Sequence, residues 1–180
     1  MILLIKLLIG GSPCTHWSIA QRKNRETTPS GLGWELFKNY LIAKQKYCPD
    51  YFLYENNKSA DNAIKQQISK ELGTELMYVN SALVSAQTRH RFYVFNWSVE
   101  QPIDRNIKVQ DILEPTSNET NLIEFVNFLP NSEQKSPNKP IRIGVIGKGG
   151  QGERIYSTLG KSVTLSAQGG VEAQKQAYTL

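Results

Sequence analysis

A thiol stands at Cys14, where the apolar run Leu7-Leu8-Ile9-Gly10-Gly11 ends and Ser12-Pro13 turns the backbone. A cysteine at the end of a strand, just ahead of a polar loop, is exposed and movable, as a covalent nucleophile must be. The same residue read alone also fits a small buried core side chain. Glu55 closes a second apolar run, Tyr51-Phe52-Leu53-Tyr54, and offers a carboxyl for acid or base chemistry or simply a helix-flanking charge. In Gln87-Thr88-Arg89-His90-Arg91 the two arginines fall on one side of an extended segment, because side chains alternate there. Their planar forks suit a carboxylate, a phosphate or a base carbonyl. His90 faces the other way and reads as a surface residue.

The elements that must hold these groups follow from periodicity. Leu3 to Ile9 reads as a buried strand. Thr15 to Gly33 is a loop of Ser, Thr, Gly, Asn and cations. Trp34, Phe37 and Leu41 recur at helical spacing, and Cys48-Pro49-Asp50 ends that helix. Tyr51 to Tyr54 reads as a strand of a sheet buried on both faces. Ile64, Ile68 and Leu72 form a second helical stripe, capped by Ser59 and closed by Gly73. Glu75–Val79 and Arg91–Asn96 complete a strand–helix alternation, which predicts an α/β fold with a mostly parallel sheet. Function in such sheets gathers at carboxyl ends of strands, and Cys14 and Glu55 both fall just past such ends.

Composition adds bounds. The chain has 180 residues, 39% hydrophobic and 21% charged, enough for a real core. Its net charge of +5 is compatible with a polyanionic partner. Two cysteines and two histidines, at no metal-ligand spacing, make neither a disulfide framework nor a metal site. The apolar N-terminal run is too short to span a bilayer, so no membrane partner is expected and a cytoplasmic setting is. After Trp97 the prolines multiply and periodic runs thin out. The expected division is 1–97, a catalytic subdomain; 98–152, a small irregular lobe with its linker; and 153–180, a closing segment.

Taken in order, Pro13-Cys14, Glu55-Asn56, Gln87-Thr88-Arg89-His90-Arg91, and Arg154 with Lys161-Ser162-Val163-Thr164-Leu165 resemble motifs four, six, eight and nine of the DNA cytosine-5 methyltransferases. The resemblance implies a partial Rossmann-like methyltransferase catalytic domain with a target-recognition lobe. It implies transfer of a methyl group from S-adenosylmethionine to carbon 5 of cytosine in double-stranded DNA. Cys14 is then the thiolate that adds to carbon 6 of the ring. Glu55 stabilises or protonates the ring nitrogen, Arg89 reaches the target base, and Arg91 orients Glu55 or binds backbone. Pro13 touches the cofactor. Thr15, Ser18, Arg22, Lys23, Arg25, Asn56 and Gln87 become DNA-facing, with Arg154, Lys161 and Thr164 bracing the recognition lobe and contacting DNA. Most members carry glutamine where Thr15 stands, in a position that contacts DNA during base extrusion.

The loop Thr15 to Gly33 would close over an extruded nucleotide, since a base inside a duplex is out of reach. Gly147-Lys148-Gly149-Gly150-Gln151-Gly152 formally matches a dinucleotide pattern, but no helical stripe follows, so a glycine hinge is expected instead. The family's Phe-x-Gly-x-Gly cofactor strand and acidic partners are missing. A fragment of a bacterial or phage modification enzyme is therefore expected, inactive alone, or one part of a split enzyme needing a complementing chain. A catalytically dead DNA-binding relic is the alternative. A cysteine hydrolase using Cys14 with His16 or His90 explains neither Glu55 nor the arginine pair.

Overall fold

The computed structural model describes residues 4–21, 23–114, 127–129, 138–148, 150, 153–164 and 178–179. Two compact units divide the chain, Met1–Val79 with His90–Gln101, and Asn80–Arg89 with Pro102–Leu180. The segment carrying Gln87 and Arg89 thus groups with the second unit.

In the first unit, β1 (Leu7–Gly10), α1 (Gly31–Tyr47), β2 (Tyr51–Asn57), α2 (Asn62–Leu72), β3 (Leu76–Asn80) and β4 (His90–Phe95) build a four-stranded sheet in the order β1-β2-β4-β3. β1 runs parallel to β2, with Leu7 opposite Tyr51 and Gly10 opposite Tyr54. β4 runs antiparallel to β2, so the sheet of this α/β unit is mixed.

The helical stripes behave as their spacing predicts. Trp34, Phe37 and Tyr40 from α1, and Ile64, Ile68 and Leu72 from α2, join Phe52, Tyr54, Phe92 and Val94 in one core cluster. Phe37 and Tyr40 meet the Tyr54 ring edge-on at 5.2 and 5.0 Å between centroids. β2 alternates, with Phe52, Tyr54 and Asn56 buried and the residues between them not. One of its faces is covered, not both as the apolar run suggested, since both helices contribute to a single cluster. α2 is capped by Asp61, whose side chain accepts from the Ala63 amide at 3.0 Å, rather than by Ser59. Gly73 ends α2 at φ +76°, as expected; α1 ends on Cys48 at φ +41°.

The second unit carries two short 3₁₀ turns, Ser81–Leu83 and Val109–Ile112, and a second sheet. Its strands β5 (Asn127–Phe128), β6 (Arg142–Val145), β7 (Arg154–Ser157) and β8 (Tyr178–Thr179) lie in that order. Strands of two to four residues give no periodic signal, which is why the lobe read as irregular. β6 and β7 are antiparallel. The Gly147 turn between them, at φ +59°, is tied by the Gly150 amide donating to the Glu153 carboxylate at 2.7 Å. The glycine-rich run therefore leads into a hairpin strand, not a phosphate-binding helix. Gly149, Gln151 and Gly152 of that run, Arg22, Leu165 and, of the linker expected from Asn131 to Asn138, residues 131–137 lie outside the described residues.

Candidate active site

The turn that carries Cys14 is knotted to β2 by hydrogen bonds. Ser12 Oγ and Tyr54 Oη lie 2.6 Å apart. Asn56 Nδ2 donates to the Ser12 carbonyl at 2.9 Å, to Ser12 Oγ at 3.2 Å and to Tyr54 Oη at 3.0 Å. Its Oδ1 accepts from the Asn57 amide at 2.7 Å. Asn56 is fully buried, so its amide fixes the turn that carries Cys14 and is not open to a phosphate. Burial raises the Tyr54 hydroxyl above its ordinary range, against the opposing pull of Ser12 and Asn56, and keeps it a neutral donor.

Parallel pairing of β1 and β2 carries Gly11 against Glu55. A Cβ on Gly11 would sit 2.5 Å from the Glu55 carbonyl oxygen and 3.4 Å from Oε2, so only glycine lets the two backbones close here. Pro13 is exposed and Cys14 is partly buried, with a free thiol. Glu55 lies inside β2 rather than past its end, because pairing with β4 runs on to Asn57 opposite Arg91. Arg91 is the diagonal neighbour of Glu55 on that ladder. Its Nε meets Glu55 Oε1 at 2.6 Å, with the arginine side chain 14% exposed and the carboxylate 37%. An acid partly open to solvent and fixed by one guanidinium is thus brought beside the thiol's turn.

The loop after Cys14 is better anchored than its composition suggests. The Trp17 and Ser18 amides both donate to the Cys14 carbonyl, at 3.1 and 2.9 Å. Arg25 Nε donates to the Trp17 carbonyl at 3.3 Å and Nη2 to the Ser59 carbonyl at 2.6 Å. Thr15 and Lys23 are exposed, and Ser18 is partly so.

The remaining expected residues belong to the second unit. The exposed Arg89 donates its amide to Asn80 Oδ1 at 3.0 Å. The Gln87 carbonyl accepts from Ser81 Oγ at 2.7 Å, and Gln87 bridges Ser162. Ser162 exchanges backbone hydrogen bonds with Ala86 and Thr88, and Thr164 Oγ1 donates to the Thr88 carbonyl. Lys161 is wholly buried, its Nζ donating to the carbonyls of Ala82 at 2.6 Å and Ser85 at 3.2 Å. That corrects its expected contact with DNA, because an ammonium enclosed by carbonyls has no surface for a phosphate. Lys161 and Thr164 instead hold the segment that bears Arg89. Arg154 sits in β7 with its Nε buried.

Sequence reasoning passed over Ser12 and Tyr54 as site residues, and over Lys58 and Lys65. Lys58 Nζ and Lys65 Nζ lie 5.5 and 5.4 Å from the Tyr78 ring centroid. Burial lowers Lys65 below the usual lysine range, and burial with the Lys58 charge lowers His90. Among the described residues no group of His, Cys, Asp or Glu is placed to hold a metal ion. No described helix is long and apolar enough to cross a membrane.

The family model of C-5 cytosine-specific DNA methylases matches residues 2–151. The type II methyltransferase M.HhaI of Haemophilus parahaemolyticus is 34% identical over 188 residues, covering 91% of this chain and 56% of its own length. The chain spans little more than half the length of that relative.

Proposed function

Because the chain belongs to the C-5 cytosine-specific DNA methylases, we propose that it supplies the covalent half of cytosine-5 methylation of double-stranded DNA. Cys14 is the nucleophile, and Glu55 the group that meets the ring. The observation that carries the reading is the Glu55–Arg91 ion pair held beside the knotted turn of Ser12, Pro13 and Cys14.

Cytosine carbon 5 is a poor nucleophile. Addition of the Cys14 thiolate to carbon 6 forms an S–C bond and moves an electron pair through the ring toward the nitrogen beside the exocyclic amine. Glu55 stabilises or protonates that nitrogen, and carbon 5 becomes enamine-like. Arg91 fixes the carboxylate's direction so that it does not have to reorganise as charge develops. Arg89 takes the role of the family's arginine that reaches the target base. Ser18, Arg22 and Lys23 serve the phosphates on either side of the extruded nucleotide, and Thr15 takes the place of the family's glutamine. Arg25 has its guanidinium committed to the Trp17 and Ser59 carbonyls, which supports an indirect part in DNA binding through loop shape.

S-adenosylmethionine is the methyl donor of the family, and the described residues do not fit it. Pro13 is exposed, and the groove of about 540 Å³ lined by Leu41, Lys44, Cys48 and Glu71 includes neither Pro13 nor Cys14. In this reading a complementing chain or segment brings the donor. The outer edge of β1 favours that reading: among the described residues β1 pairs only with β2, and Leu7 and Ile9 are 56% and 65% exposed. The setting is a bacterial or phage modification system in the cytoplasm.

The test needs no methyl donor. Reversible addition at carbon 6 lets carbon 5 take a proton from water and lose its original hydrogen before the thiolate leaves. The chain is incubated with duplex DNA tritiated at cytosine carbon 5, and release of tritium to water is counted. Release should vanish in Cys14→Ser and fall about 10²-fold or more in Glu55→Gln, the usual scale for a lost general acid. Salt-sensitive DNA binding without Cys14-dependent release would replace this reading with the inactive DNA-binding relic.

A further inference from the structure

We infer that Glu26 is a positioning residue for the nucleophile, clasping the loop that follows Cys14 to the first turn of α1. The inference rests on Cys14 being the nucleophile, and its test is chosen to read the clasp separately.

Glu26 is twelve positions beyond Cys14 in a stretch of mixed polar residues, and nothing in its spacing marks it. Its carboxylate nevertheless gathers three elements. Oε2 accepts the Trp17 indole N–H at 3.2 Å, and both oxygens accept the Gly33 amide, at 3.1 and 3.3 Å. Oε1 also lies 3.7 Å from His16 Nδ1. The Glu26 amide donates in turn to the His16 carbonyl at 2.9 Å.

Helix α1 begins at Gly31, and Ser30, at the N-cap position, makes no side-chain capping bond. Glu26 performs that office from outside the helix, satisfying the third amide of the first turn with a negative charge where the helix dipole favours one. Trp17 is the other end of the clasp. It is wholly buried in the core cluster, and its amide is bonded to the Cys14 carbonyl. A continuous chain of contacts therefore runs from α1 through the Glu26 carboxylate and the Trp17 ring to the Cys14 backbone.

The two glycines flanking Leu32 are the space this clasp needs. A Cβ on Gly33 would lie 2.4 Å from Trp17 Nε1 and 2.6 Å from Glu26 Oε2. A Cβ on Gly31, at φ +80°, would lie 2.6 Å from Glu26 Oε1. Helix propensity disfavours two glycines in a first turn, and the cradle for carboxylate and indole accounts for both. The consequence is a loop tethered at Trp17 and again at Arg25-Glu26, with the stretch between them left to approach DNA.

The test uses the full chain in a Cys48→Ser background, so that iodoacetamide reports on Cys14 alone. Alkylation of Cys14 is timed across pH, beside urea unfolding of each variant. Glu26→Ala should raise the alkylation rate about tenfold across the profile, the opening expected when a charge-assisted hydrogen bond is lost. Glu26→Gln keeps an oxygen for the indole and the Gly33 amide and should restore the parent rate. Leu72→Ala, which opens the core at the C-terminal end of α2 and touches neither the clasp nor the Tyr54 hydroxyl, should lower stability and leave alkylation at the parent rate. Parent-like alkylation in Glu26→Ala, or equal acceleration in Leu72→Ala, overturns the inference. A chain that releases no tritium from DNA fails as a catalyst while leaving this measurement decisive for the clasp.

Discussion

Tyr54 shows how one side chain ties the turn that carries Cys14 to the packed core. Its ring is the centre of the aromatic cluster of Phe37 and Tyr40, and its hydroxyl is the hub of the Ser12–Asn56 knot. Burial raises it, so the folded chain holds the phenol proton at pH values where the unfolded chain has released it. Below the ordinary tyrosine value of 10.0 both states are protonated and this contribution to stability is fully present. As pH rises past that value the unfolded chain loses its proton first, and stability is lost as pH moves up through the folded value. Urea midpoints should therefore decline above pH 10, and Tyr54→Phe should flatten that decline while lowering the midpoint at neutral pH. An equally steep decline in Tyr54→Phe would place the alkaline sensitivity elsewhere. Cys14 and Glu55 were legible as candidates, since the type and order of the short motifs single them out. Glu26, Trp17 and Tyr54 were not, because their work is done through partners far away in the chain or in stretches with no periodic signal.

At the scale of elements, the β1–β2 register decides which residues meet. Gly10 opposite Tyr54 carries Gly11 to the Glu55 carbonyl, and that closeness joins the strand that leads to Cys14 with the strand that bears Glu55. A methyl group at Gly11 has backbone, not a flexible side chain, in its way. Gly11→Ala should cost roughly 1–3 kcal/mol, the usual scale of overpacking, read from urea unfolding. Thiol reactivity at Cys14 should change with it, since the Ser12 anchor shifts too. An unperturbed Gly11→Ala chain would mean that β1 sits looser against β2 than this register requires. Both long helices were readable from their stripes, because Trp34-Phe37 and Ile64-Ile68-Leu72 each mark a single buried face. The extent of β2 was not readable. Its apolar run stops at Tyr54, and only pairing with β4 continues the strand through Glu55 to Asn57.

For the molecule as a whole, the edge of β1 that no described strand pairs with matters most. Leu4, Ile5, Leu7 and Ile9 are all more than half exposed, a row that an isolated soluble chain rarely leaves uncovered. Ile9→Lys on the parent chain should reduce self-association in light scattering without lowering the urea midpoint. If a complementing segment adds here, the same change should block donor-dependent methylation while sparing tritium release from DNA. Loss of both activities together would show that Ile9 supports the Cys14 turn itself.

Residue order alone determined the family and the candidate nucleophile, acid and arginines, because that chemistry needs particular groups in short local patterns. It also determined the α/β class, since helical and strand periods are local properties. Tertiary structure alone decided that Arg91, expected to orient Glu55 or to bind backbone, takes the first of these roles, that Asn56 and Lys161 are buried braces, and that a carboxylate twelve residues past the thiol anchors its loop. The physical reason is the same in each case. Hydrogen bonds and buried charges depend on which distant strands and turns come to lie side by side, and no local pattern carries that information.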